Sequence, residues 1–128
     1  MKDADPPTDL QLAVLRALWA LGEAAVPDVQ EHLAGEGRRL APTTVATLLR
    51  RMEKKGWVHH REEGRAFFYR AADTREEVAG TALARIAGTL FGGDVPALVS
   101  QLIDSRAVTS RDLARIRKLI ADKEKERR

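Results

Sequence analysis

The chain changes its hydrophobic period at Gly56, and few folds accommodate what lies on either side of that change. Before the glycine, residues 41–56 (APTTVATLLRRMEKKG) read as one helix. Pro42 suits a first turn, where its missing N–H costs nothing, and Gly56 suits the position just past a helix end. Val45, Leu48, Leu49 and Met52 stand at i, i+3, i+4 and i+7, which makes one apolar stripe. Beyond Gly56, Trp57–Arg61 and Ala66–Ala71 are rich in aromatic and β-branched residues and are separated by Glu62–Glu63–Gly64–Arg65. That pattern predicts a β-hairpin with Gly64 at its tip and Arg61 and Arg65 on its shoulders.

The helix also has a second face. At about 100° per residue, Thr43, Thr47, Arg50 and Lys54 point nearly opposite the apolar stripe, with Arg51 beside them. No carboxylate shares that face; Glu53 falls near its boundary. Hydroxyls and cations arranged this way fit a DNA major groove, where cations meet phosphates and Arg or Thr reaches base edges. A solvated basic face is the plainer alternative. The candidate DNA-binding residues are Thr43, Thr44, Thr47, Arg50, Arg51, Lys54 and Lys55 on the helix, with Arg61 and Arg65 on the hairpin.

Charge distribution favours the groove. The formal net charge is only +3. Yet residues 38–72 carry nine Lys or Arg against Glu53, Glu62 and Glu63, whereas residues 1–37 carry two against seven Asp or Glu. Positive charge is thus gathered on the suspect helix and hairpin, as at a nucleic-acid site.

The flanking segments complete an order of elements. The polar lead MKDADPP is expected to be mobile. Thr8 or Asp9 can cap a helix through about Leu21, with Leu10, Val14 and Leu18 beside Ala13, Ala17 and Leu21. Trp19 lies off those rows and is expected to close the side of the core. Gly22 ends that helix, Ala24–Val26 suits one brief strand, and Pro27 opens a second helix through about Leu33 with Val29 and Leu33 buried. Helix, short strand, helix, helix, hairpin is the order of a winged helix-turn-helix, in which the hairpin lies against the DNA backbone while the third helix enters the groove.

From Asp73 the chain is helical again. Thr74 and Glu77 make a capping-box pattern, and Val78, Ala82, Ile86 and Leu90 recur every four residues. Gly92–Gly93 breaks this helix, Asp94 can cap a short one, and Ser110 a last one holding Leu113, Ile116 and Ile120. Three amphipathic helices in so few residues cannot hide their apolar faces alone. A two-fold dimer would cover them, through Ile86, Leu90, Leu102, Ile103, Ile116 and Ile120; a self-contained helical cap is the alternative. The expected fold is therefore mainly α with a small β-hairpin: a winged-helix DNA-binding domain over 8–72 and a helical dimerisation domain over 73–128.

Other chemistries lack their residues. There are no cysteines, so disulfides and thiolate metal sites are excluded. His59 and His60 are neighbours on a strand and point to opposite faces, and His32 has no partner at ligand spacing, so no metal site is expected. No phosphate loop, nucleophile–base pair or HExxH is present. No catalytic residue and no cofactor are expected. No apolar run approaches the ~18 residues that span a bilayer, and the acidic start does not suit a signal peptide. A cytoplasmic location without a membrane partner is expected.

The segments 15–33 (LRALWALGEAAVPDVQEHL), 41–58 (APTTVATLLRRMEKKGWV), 61–71 (REEGRAFFYRA) and 98–104 (LVSQLID) together resemble the BlaI/MecI/CopY family of transcriptional repressors, the penicillinase repressors. The second segment is the most specific. The resemblance covers nearly all of residues 8–126. It implies a winged-helix N-terminal domain, a C-terminal helical dimerisation domain and repression by operator binding, with Thr43–Lys55 as the groove-reading helix. Two departures matter. The Asn-Phe pair cut by a sensor protease in the β-lactam-responsive members is matched here by Gln101–Leu102, which puts induction by that cleavage in doubt. The cysteine pairs of the copper-responsive members have no counterpart. The inducing protease or ligand is not written in the sequence. Three functions compete: a homodimeric repressor on a palindromic operator of double-stranded DNA, a winged-helix protein-interaction module, and a non-specific DNA-coating protein.

Overall fold

A computed structural model describes residues 6–128; residues 1–5 of the lead expected to be mobile lie outside the described residues. Helix α1 (Asp9–Leu21) begins at Thr8. The Thr8 hydroxyl accepts from the Gln11 N–H at 3.2 Å, and the Gln11 side chain accepts from the Thr8 N–H at 2.8 Å. Two backbone donors without intrahelical partners are satisfied at once. Gly22, with φ +79°, turns the chain out of the helix, a conformation that carries a steric cost for any residue with a Cβ.

The strand expected at Ala24–Val26 contracts to one residue. Ala24 exchanges two backbone hydrogen bonds with Tyr69, at 2.9 and 2.8 Å. Val26 opens α2 (Val26–Gly35) instead. Pro27 in its first turn lacks a donor that would go unused there, and the Asp28 carboxylate accepts from the Ala25 N–H at 3.1 Å. Val29 and Leu33 are fully buried, as their spacing predicted. Gln30 donates to the Leu40 carbonyl at 3.0 Å and so fixes the loop that leads into α3 (Pro42–Lys54).

Past α3, Gly56 adopts φ +79°. Trp57 lies fully buried in the core instead of opening a strand as expected. Its backbone ties the hairpin to the helix: its N–H donates to the Met52 carbonyl at 3.0 Å, and its own carbonyl accepts from the Ala72 N–H at 2.9 Å. Strands β1 (Val58–Glu63) and β2 (Ala66–Ala71) pair antiparallel, from Val58 opposite Ala71 to Glu63 opposite Ala66. The connection is therefore the two residues Gly64–Arg65, not the four expected. Gly64, at φ +63°, takes the first central position, where a tight hairpin turn requires positive φ.

The core of this unit joins α1, α2, α3 and the hairpin base. Val14, Leu15, Leu18, Val29, Leu33, Val45, Leu49, Met52, Trp57 and Val58 are all fully buried. Two details depart from the expected stripes. Leu15 is buried although it lay off the predicted rows, because α1 packs against α2, α3 and β2 and so buries a wider arc. Leu21, the last residue of α1, is 44% exposed. Trp19 closes the side of the core as expected: its Nε1 donates to the Asp73 carbonyl at 2.9 Å, and the Arg75 guanidinium lies 5.8 Å from its ring centre.

Helix α4 (Arg75–Phe91) carries the predicted capping box, with Thr74 and Glu77 exchanging two bonds of 3.1 Å. The chain divides into two compact units within this helix, after Ala82. In the second unit, Gly92 and Gly93 both take positive φ and end α4. The Asp94 carboxylate then caps α5 (Val95–Asp104), accepting from the Ala97 N–H at 3.0 Å. Helix α6 (Ser110–Glu126) is capped by Thr109, not by Ser110 as expected. Thr109 and Asp112 exchange bonds of 3.1 and 3.0 Å; Ser110 has no acid three residues on. Neither α5 nor α6 buries a residue fully. Among the described residues no single helix is long and apolar enough to cross a membrane.

Candidate nucleic-acid interface

Three fully buried side chains, Val45, Leu49 and Met52, hold α3 to the core. Their stripe sets the roll of the helix, and that roll fixes where the polar residues go. Thr43, Thr44, Arg50, Arg51 and Lys54 are exposed, while Thr47 and Lys55 are half-buried. The Thr47 hydroxyl donates to the Thr43 carbonyl at 2.9 Å, and its oxygen accepts from Arg50 at 3.3 Å. Thr47 thus holds the guanidinium of Arg50 as well as lining the face. Lys55 lies just past the helix end with its ammonium 4.8 Å from the Trp57 ring centre.

The carboxylate at the boundary of this face is occupied. Glu53 accepts from the His60 N–H at 3.2 Å and meets His60 Nδ1 at 2.7 Å. The imidazole stacks on Phe67, with ring centres 4.3 Å apart and planes 20° from parallel. Tyr69 lies 5.5 Å away on the same face, and burial pushes its phenol above the usual range. His60 thus ties α3 to β1, and the Glu53 carboxylate is directed to the hairpin through it.

The other face of the hairpin carries an ion pair. Arg61 holds both oxygens of Glu23, at 2.9 and 2.7 Å, and also donates to Glu63 at 2.7 Å. Its guanidinium lies 4.9 Å from the Phe68 ring centre. Hydrogen bonding from Arg61 holds the Glu23 carboxyl below the usual carboxylate range, and the same bonds raise the Arg61 pKa further. Arg65, at the turn, is exposed and has no carboxylate at ion-pair distance among the described residues. Among the described residues, the structure therefore brings Arg50, Arg51 and Lys54 together on α3 without a carboxylate partner, leaves Arg65 without one at the turn, and occupies Arg61.

Sequence reading missed the Glu53–His60 and Glu23–Arg61 pairs. For the first a signal existed, since Glu53 is the only acid within a strongly cationic helix. For the second there was none in local spacing, because the partners are 38 residues apart.

Among the dimer candidates, Ile86, Leu90, Leu102 and Ile103 are exposed on α4 and α5, and Ile120 on α6, while Ile116 is half-buried. Gln101–Leu102 lies within α5, also exposed.

Known proteins resemble this chain in sequence and fold. The family model described as penicillinase repressor matches residues 7–122. The chain is 28% identical over 116 residues to an uncharacterized 16.5 kDa protein from the ptsI 3′ region of Latilactobacillus sakei, covering 91% of this chain and 79% of that one. It is 32% identical over 69 residues to the penicillinase repressor of Bacillus licheniformis, covering 54% of this chain; it thus spans about half of that repressor's length, 53%. The solution structure of the DNA-binding domain of the repressor BlaI is 28% identical and superposes with a TM-score of 0.51, covering 60% of this chain and 93% of that domain. A family match over nearly the whole length, joined to a three-helix core with a β-hairpin wing, places this chain in the penicillinase repressor family.

Proposed function

We propose that this chain is a homodimeric transcriptional repressor that occupies a palindromic operator. Helix α3 enters the major groove and presents Thr43, Thr44, Thr47, Arg50, Arg51, Lys54 and Lys55. The wing lies along the flanking backbone with Arg65 toward phosphate and Arg61 in support. Residues 8–72 form the DNA-binding domain and residues 73–128 the dimerisation domain. The observation that carries this is the outward face of α3: three exposed cations without a carboxylate partner among the described residues, beside a Glu53 already bound to His60. A face of that kind is suited to phosphates and base edges together. Family membership supports the same function, as does the likeness to a repressor's DNA-binding domain.

For the dimer, support comes from the apolar side chains left exposed on α4, α5 and α6. Two linked half-site readers gain an effective concentration that one lacks.

In vitro selection of bound DNA with the purified protein tests the whole proposal. The expected result is enrichment of an inverted repeat, bound with an affinity that falls steeply with salt. Salt-dependent binding without sequence enrichment would indicate a DNA-coating protein instead, and no DNA binding a protein-contact module.

A further inference from the structure

The two basic shoulders of the wing are not equivalent. Among the described residues Arg65 has no carboxylate partner at the turn, whereas three N–H groups of Arg61 are already taken by carboxylates, two of the bonds going to Glu23. Glu23 sits in the α1–α2 turn, next to Ala24, whose backbone is bonded to β2 through Tyr69. One short turn thus grips both strands, β1 by a side chain and β2 by its backbone. Arg61 lies opposite Phe68 in the ladder, and His60 opposite Tyr69. Successive residues face opposite ways in a strand, so the Glu53–His60 pair pins one face of the hairpin and the Glu23–Arg61 pair the other. A two-stranded hairpin is marginal by itself in water, and beyond Tyr69 the outer half of this one has no fully buried side chain.

We propose that Arg61 is a positioning residue: clamped by Glu23, it sets the angle of the wing so that Arg65 meets the DNA backbone, which makes the acidic Glu23 a requirement for DNA binding. This rests on the proposed repressor function, because it assumes that the wing lies on DNA. It also inverts a simple electrostatic expectation. A carboxylate near DNA repels phosphates, so neutralising it should strengthen binding if Glu23 did nothing else. If Glu23 merely kept Arg61 away from a phosphate, neutralising it should strengthen binding further.

The test uses the full chain, the DNA fragment recovered by selection, and the variants Glu23→Gln, Glu23→Asp and the swap Glu23→Arg with Arg61→Glu. Affinity is measured across a salt series, and amide exchange of β1 and β2 is followed without DNA. Glu23→Gln should lower affinity roughly tenfold for a dimer and reduce the salt slope by about one unit per monomer as Arg65 loses its phosphate. Exchange of the outer hairpin amides should quicken, with those of α1–α3 unchanged. Glu23→Asp should fall between, and the swap should restore both readouts toward wild type. Affinity of Glu23→Gln at or above wild type overturns the proposal, as does unchanged hairpin exchange or a swap that restores neither readout. A wild-type chain that binds no DNA at all sinks the repressor function instead, and the exchange of the Glu23→Gln hairpin then decides the clamp alone.

Discussion

Leu49 and Arg50 are adjacent in sequence and opposite in consequence. Leu49 is fully buried, and Arg50 is exposed with the Thr47 oxygen as its hydrogen-bond partner among the described residues. Leu49→Ala should therefore cost about 2–5 kcal/mol of folding stability, the range for a large side chain removed from a packed core. Arg50→Ala should leave folding stability nearly unchanged, within about 0.5 kcal/mol. Operator affinity should nonetheless fall by about 1–3 kcal/mol if the guanidinium reads a base edge. Thermal unfolding and operator titration on both variants separate the two effects; an unfolded Arg50→Ala would mean that the roll of α3 is wrong. Acid gives a second residue-scale prediction. The folded Glu23 carboxyl titrates below its ordinary range because Arg61 bonds to it, so its contribution is complete above the usual glutamate range and is lost as pH falls through the depressed folded value. Arg61 stays charged throughout. Amide exchange of the outer hairpin, referenced to α1, should therefore quicken toward pH 3, and this step should be missing in Glu23→Gln.

Elements differed in how much of themselves they wrote locally. Helix α3 was fully legible: its stripe, Pro42 and Gly56 specify start, stop and roll within 16 residues, and Val45, Leu49 and Met52 are buried where that stripe put them. The hairpin was legible in kind and off in register by two residues, because Glu62 and Glu63 look like turn residues when only composition is read. Their pairing with Phe67 and Ala66 follows once Gly64 takes positive φ and closes a two-residue turn. The Ala24 bridge to Tyr69 and the Glu23–Arg61 clamp were not legible, since they depend on how α1 and the hairpin meet. The start of α6 could have been read better. Thr109 and Ser110 are both good caps, and Asp112 decides for Thr109 because it stands three residues beyond it. The Asp112 carboxyl is held below its usual range by the Thr109 backbone and hydroxyl. Thr109→Ala should consequently loosen the first turn of α6 and cost about 1 kcal/mol, whereas Ser110→Ala should cost almost nothing. Thermal unfolding of both variants at equal protein concentration checks the assignment.

At the scale of the whole molecule, the two units face opposite problems. The winged unit satisfies itself, with a buried core and a clamped wing. Beyond Ala82 the chain leaves Leu90 75%, Leu119 62% and Ile120 53% exposed, along with Leu102 and Ile103. Isolated exposed leucines need no explanation, but rows of them on consecutive amphipathic helices mark a surface meant to be covered. A second copy covering it would make Ile120 a sensitive position that is harmless to a single chain. In a monomer, Ile120→Glu places a charge in water and leaves folding intact. Across a two-fold interface it buries a carboxylate without a partner from each copy, which should cost the dimer about 3 kcal/mol or more. Sedimentation at micromolar concentration should then show a dimer for the wild type and a monomer for Ile120→Glu, with the winged unit folded in both. Operator affinity should collapse in the variant, because each half-site is then bound alone. A wild-type monomer that holds the operator at full affinity, unmoved by Ile120→Glu, would instead make α5 and α6 a surface awaiting some other partner.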